Sequence, residues 1–142
     1  MSKVISLRLK ESQVESLARA ARRMNRTPSE TAAILLSEAL LQRDFPFIEF
    51  RDSPVGRQAY LQGTRLAIWQ IVSIARDYNG DLAKTAEHLN RPQAQIAAAM
   101  KYAAAFPEEI DAAIRDNEWA AANIEQIVPN VEVVKVDEVL NH

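Results

Sequence analysis

Side chains that could carry out a reaction are sparse in this 142-residue chain. There is no cysteine, and the two histidines, His88 and His142, lie too far apart in sequence for a zinc motif. Three glycines leave little room for a phosphate-binding loop, and no nucleophile is paired with a base in any familiar motif. We therefore predict neither an enzyme nor a cofactor.

A group of carboxylates near the C-terminus is the alternative to that prediction. These acids fall in the first half of the last predicted helix: Glu108, Glu109, Asp111 and Asp116. Carboxylate oxygens bind Mg²⁺, so a metal-dependent hydrolase is one hypothesis. The four acids are spread around a solvated helix without an accompanying histidine, which is more typical of a surface. We predict no metal site.

Charge is distributed unevenly along the chain. Residues 1–43 hold eight Lys and Arg against four Glu, a net charge of +4, whereas residues 107–142 carry −7. This asymmetry suggests a polyanion as the partner of the first segment and a basic protein as the partner of the last, although solvated faces would also explain it. No apolar signal region begins the chain, and the longest apolar run, Ala32 to Leu36, is too short to span a bilayer, so we expect a cytoplasmic protein.

The first 43 residues have the pattern of one strand and two helices. Ile5, Leu7 and Leu9 alternate with Val4, Ser6 and Arg8, as in a half-buried strand. A helix is predicted over residues 11–24, with Ser12 and Glu15 at capping-box spacing, and another over residues 28–43 behind the box of Thr27 and Glu30. One strand and two helices cannot bury their apolar surface alone, so a second chain is implied.

In the order and length of its elements, residues 3–43 resemble the ribbon-helix-helix family of DNA-binding proteins. The resemblance rests on the strand from Ile5 to Leu9, the turn at Asn25-Arg26 and the helix entry Thr27-Pro28-Ser29-Glu30. It implies an intertwined homodimer, or a higher even-numbered oligomer, in which two paired strands enter the major groove of operator DNA.

The same resemblance implies roles for individual residues. Val4, Ser6 and Arg8 would face the bases, with Arg8 able to donate two hydrogen bonds to guanine. Phosphate contacts would come from Lys3 and from the start of the second helix, at Thr27 and Ser29. The alternative makes the strand residues ordinary solvent-facing ones and Thr27 a plain helix cap.

The middle segment is predicted to begin after Asp44-Phe45-Pro46-Phe47, where proline ends the second helix. We predict a strand over residues 48–51 and a hairpin with arms 58–61 and 65–68 around Gln62-Gly63-Thr64. Helices are predicted over residues 69–78, 82–89, 92–105 and 108–127, and the second and third of these form a helix-turn-helix.

Residues 49–112 resemble a domain family of undefined function with a Gly-Arg/Gly-Thr-Arg hairpin and a helix-turn-helix. The matching residues are Gly56-Arg57, Gly63-Thr64-Arg65, Leu82-Ala83 to Leu89, and Ala98 to Tyr102. This family often occurs in VapB-like antitoxins whose partners are PIN-like ribonucleases. Arg57 and Arg65 are candidates for a secondary nucleic-acid contact or interface. Because alanines dominate the helix predicted over residues 92–105, we favour protein packing over DNA contact for that helix.

The chain is thus predicted to be mainly α with short β elements, in three parts. Residues 1–45 form the ribbon-helix-helix domain, residues 46–127 the helix-turn-helix-like domain, and residues 128–142 a strand-like tail. In such antitoxins the C-terminal segment embraces the toxin, so Val131, Val133 and Val136 are candidates for toxin binding by strand addition; a disordered terminus or a strand within the chain's own sheet is the alternative. The leading hypothesis is an autorepressing antitoxin, and the second is a stand-alone regulator with an oligomerisation or ligand-sensing domain.

Overall fold

The described part of the chain, residues 2–127 of a computed structural model, contains six helices and one β-hairpin. The helices are α1 (Glu11–Met24), α2 (Pro28–Asp44), α3 (Ile68–Asp77), α4 (Leu82–Leu89), α5 (Gln93–Ala105) and α6 (Pro107–Ile127). The hairpin pairs β1 (Ile48–Ser53) with β2 (Gly56–Leu61). The chain is therefore mainly α with short β elements, as its sequence predicts. Among the described helices, none combines the length and apolarity needed to cross a bilayer.

Two compact units divide the chain, unit 1 at Met1–Ala59 and unit 2 at Tyr60–His142, so the division falls inside β2. Their cores differ greatly. Of the nineteen buried residues in the described part, only Ala21, Thr31, Ile48 and Ala59 belong to unit 1. Unit 1 nevertheless holds nine of the ten large apolar residues that are exposed among those the structure describes. A core this small is insufficient for a stable independent domain of about 60 residues.

Both helices of unit 1 begin and end at local signals. Lys10 is the N-cap of α1, and its backbone N–H donates to Gln13 Oε1 at 2.9 Å. The predicted capping box of Ser12 and Glu15 is therefore wrong, because Ser12 lies inside the helix. Asn25 ends α1 in the left-handed conformation, with φ of 55°.

The second helix starts as predicted, with Thr27 as N-cap and Pro28 as its first residue. It ends at Asp44, where Pro46 prevents continuation. Phe47, the residue before β1, has a φ of 68°, a conformation that bulky residues rarely adopt.

The hairpin differs from the one predicted. The strand at residues 48–51 is confirmed, but it pairs with Gly56–Leu61 across a turn at Pro54-Val55. Gly56, with φ of 112°, permits this turn. The predicted second arm, residues 65–68, is not a strand, because Ile68 begins α3 and is fully buried. Of the predicted pairing, the structure contains one isolated β-bridge, between Tyr60 and Ala67.

The Gly63-Thr64-Arg65 sequence has a structural explanation. Gly63 lies at a positive φ of 74° in the turn after β2. Thr64 is buried, and its Oγ1 donates to the Leu61 carbonyl at 2.8 Å and accepts from the Leu66 N–H at 3.0 Å. These bonds close the turn that leads into α3.

Unit 2 packs its helices around a continuous apolar core. Helix α3 contacts α4, α5 and α6. The core between these helices includes the fully buried residues Ile68 and Ile71 of α3 and Ile96 of α5. The Tyr102 hydroxyl donates to Glu109 Oε2 at 2.7 Å and so links α5 to α6. An ion pair of 2.6 Å between Arg76 and Asp111 links α3 to α6.

Candidate nucleic-acid interface

The segment before α1 is open to solvent along its whole described length. Residues 2–10 form no regular secondary structure within the single chain, and every one of them is exposed. The apolar members of the predicted strand are included, since Ile5 is 79% exposed and Leu7 is 68% exposed. A strand requires a hydrogen-bonding neighbour, and the described chain supplies none to these residues.

The residues predicted to contact DNA bases lie in this same segment. Val4 is 96% exposed, and Ser6 and Arg8 are exposed as well. Lys3, predicted to contact phosphate, is also exposed. Their side chains are therefore accessible to a ligand, while their arrangement as one face of a strand stays a prediction.

The turn between α1 and α2 forms an open surface depression of about 450 Å³. Its lining consists of Ala21, Arg22, Asn25, Arg26, Thr27 and Glu30. The structure thus places Thr27, a predicted phosphate contact, beside two arginines that belong to no predicted site. Their signal in the sequence is the basic run Arg22-Arg23 followed by Arg26.

Backbone donors at the start of α2 add to this basic surface. Thr27 Oγ1 accepts from the Glu30 N–H at 3.2 Å, and Pro28 has no N–H. The cap therefore leaves the Ser29 N–H as the exposed donor of the first turn, where the helix dipole favours an anion. Arg26 and Glu30 approach to 3.6 Å, but both side chains are more than half exposed, so the pair contributes little energy.

Arg57, a candidate for a secondary contact, is held in an ion pair inside unit 1. Its Nε donates to Glu38 Oε2 at 3.0 Å and its Nη2 to Glu38 Oε1 at 2.5 Å, while Nη1 approaches Asp52 at 3.2 Å. The hydrogen bonds to Glu38 raise the pKa of Arg57, so the guanidinium stays charged. The pair joins β2 to α2, and this structural role was not predicted.

The remaining candidates are distributed differently. Arg65 is exposed in unit 2, directly after the buried Thr64. The three valines predicted to bind a toxin, Val131, Val133 and Val136, lie outside the described residues. Among the side chains that the structure describes, no three His, Asp or Glu are grouped so that they could hold a metal ion.

Comparisons of the chain with protein-family models, with curated proteins and with solved structures found no match.

Proposed function

We propose that this chain is the antitoxin of a type II toxin-antitoxin pair. It binds operator DNA as a homodimer through a ribbon-helix-helix unit and neutralises a PIN-like ribonuclease by protein contact. The proposal rests on the two resemblances described above and on the physical properties of unit 1.

The observation that carries the DNA-binding part is the imbalance between exposed and buried apolar surface in unit 1. Nine large apolar residues are exposed there, against three buried hydrophobic residues in the same unit. Monomeric proteins rarely expose that much apolar surface unless it binds a partner. Pairing of residues 3–9 from two chains would cover Ile5, Leu7 and Leu9, while Leu36 and Leu40 of α2 would pack beneath the ribbon.

This pairing would also assemble a surface suited to DNA. Alternation along a strand directs side chains to opposite faces, so covering Ile5, Leu7 and Leu9 leaves Val4, Ser6 and Arg8 outward. Arg22, Arg26, Thr27 and the Ser29 N–H would then flank the ribbon as phosphate contacts. Counterion release by such contacts would make the affinity depend strongly on salt.

The protein-binding part rests on the acidic C-terminal third. The net charge of −7 over residues 107–142 disfavours nucleic acid and favours a basic protein. Helices α4 and α5 and the three-residue turn between them form the proposed helix-turn-helix. The exposed residues of α5 are mainly alanines, which favour protein packing over groove binding.

The test of the DNA-binding part uses the full chain and duplex DNA from upstream of its own reading frame. Leu7→Lys should abolish dimerisation and DNA binding although it adds a positive charge, because a buried ammonium cannot be accommodated in the ribbon. Val55→Lys is the matched control, since Val55 is 80% exposed at the hairpin turn and lies outside the ribbon. Equal mobility shifts for Leu7→Lys and wild type would refute the proposal.

The protein-binding part is tested by co-expression with the product of the adjacent reading frame. Removal of residues 128–142 should weaken capture of that product and leave DNA binding unchanged. If wild-type protein forms no complex with it, the antitoxin assignment fails and the stand-alone regulator takes its place.

A further inference from the structure

The second part of α6 extends beyond the packed core of unit 2. Ile110 and Ile114 of this helix are buried, whereas each residue from 115 to 122 is exposed. We refer to residues 115–124 as the outer half of α6. A helical segment of this length whose side chains are mostly exposed is marginal in water, so a surface that covers it would stabilise it.

Trp119 is the unusual residue of this segment. It is 62% exposed, and it is the one exposed large apolar residue in the described part of unit 2. It lies nine residues after Ile110, which places it about 180° around the helix from the packed face. One turn away are Arg115, Asp116, Ala122 and Asn123. The Asn123 side chain donates to the Trp119 carbonyl at 2.8 Å, so it is directed along its own helix.

The charge of α6 restricts what can cover this face. The whole helix contains six acidic residues and one arginine, a net charge of −5, and its outer half contributes Asp116 and Glu118 against Arg115, a net charge of −1. A second α6 carries the same −5 and would be repelled. DNA and anionic lipid are disfavoured for the same reason. A protein surface with an apolar pocket bordered by lysine or arginine would complement the exposed indole and the two acids of the outer half, and a cation there can also stack on the indole ring.

We propose that the outer half of α6 is a docking surface for a basic partner protein, with Trp119 as the side chain that the partner buries. The proposal rests on the proposed function insofar as the partner is the protein that the antitoxin captures. It locates part of that capture in a described helix, upstream of the valines in the tail.

The test measures binding of the full chain to the product of the adjacent reading frame. Trp119→Ala should weaken the complex by about tenfold or more, because aromatic anchors dominate such interfaces. The matched control is Asn117→Ala, an exposed residue of the same helix about 200° away from Trp119. Circular dichroism and DNA binding should be unchanged for both variants, since neither side chain is buried.

Charge provides an independent variant. Asp116→Asn combined with Glu118→Gln should slow association and reduce its dependence on salt, whereas Asp77→Asn, an exposed acid at the end of α3, should not. In the complex, acrylamide should quench the fluorescence of Trp119 less than in the free chain.

The outcomes separate this inference from the proposed function. Wild-type affinity for Trp119→Ala would overturn the inference and leave the antitoxin proposal intact. Failure of the wild-type chain to bind would overturn both. If Trp119→Ala instead abolishes self-association of the chain alone in sedimentation, the face belongs to a second copy and the basic-partner assignment is wrong.

Discussion

Arg8 is the residue on which sequence-specific recognition depends in the proposed complex. It is exposed before α1, and its guanidinium can form two parallel hydrogen bonds with a guanine. Arg8→Ala should weaken operator binding by about 1–3 kcal/mol and leave the melting temperature unchanged. Mobility shifts at fixed salt, with Arg91→Ala in unit 2 as the control, provide the measurement. Unchanged affinity would exclude Arg8 from base contact.

Arg57 differs from Arg8, because its charge is paired with Glu38 within unit 1. Its side chain is 25% exposed and that of Glu38 is 12% exposed, so removing one partner leaves the other poorly solvated. We expect Arg57→Leu to lower the free energy of unfolding by about 2–3 kcal/mol in urea titrations at fixed protein concentration. Asp52→Asn should cost less than about 0.5 kcal/mol, since the Asp52 side chain is 57% exposed. Equal effects of the two variants would contradict this account.

At the scale of elements, the start of α2 combines a structural and a binding role. Thr27 Oγ1 caps the Glu30 N–H, whereas Ser29 is exposed in the first turn. Thr27→Ala should therefore destabilise the fold by about 1 kcal/mol and also weaken DNA binding.

Ser29→Ala separates the two roles of that helix start. It removes the Ser29 hydroxyl and keeps the backbone N–H, so it should leave thermal stability unchanged and weaken DNA binding through loss of the hydroxyl's contact with phosphate. Calorimetry and mobility shifts on the two variants distinguish a helix cap from a ligand contact. If neither variant alters DNA affinity, the side chains at the start of α2 do not contact DNA.

The whole molecule should unfold in two steps with different dependence on concentration. Unit 2 has fifteen buried residues in its described part and should melt as an independent unit. Unit 1 has four, so its stability should depend on dimerisation, and its melting temperature should rise with protein concentration. Scanning calorimetry over a hundredfold concentration range is the measurement.

Ile34→Glu should abolish the concentration-dependent transition and preserve the other, because Ile34 is partly buried in α2 and a charge there would oppose packing. A folded monomer at every concentration would refute the dimer. These outcomes separate coupled folding of unit 1 from the intrinsic stability of unit 2.

The helices could be predicted from sequence almost to the residue. The bounds of α1 and α4 agree with those predicted, and the other helices differ by one residue at one or both ends. Their limits depend on local chemistry, namely on Asn25 and Asn90 in left-handed caps, on Thr27 with Pro28, and on the proline at position 46. Such signals act within a few residues and need no knowledge of the rest of the chain.

Strand pairing and the use of individual charges were decided by the tertiary structure. By local pattern, residues 58–61 could pair either with residues 48–51 or with residues 65–68. Ile68 is buried in the core of unit 2 as the first residue of α3, so the pairing with residues 48–51 forms instead. Arg57 contacts Glu38, nineteen residues away, which no local pattern specifies.

The N-terminal segment also shows that a local pattern does not determine strand pairing. Its alternation predicts a strand, yet residues 2–10 form none, because a strand depends on hydrogen bonds to a neighbour and the described residues provide none. Periodicity and capping are local and are determined by the sequence itself, whereas pairing and ion pairs join distant residues and are decided only when the chain has folded.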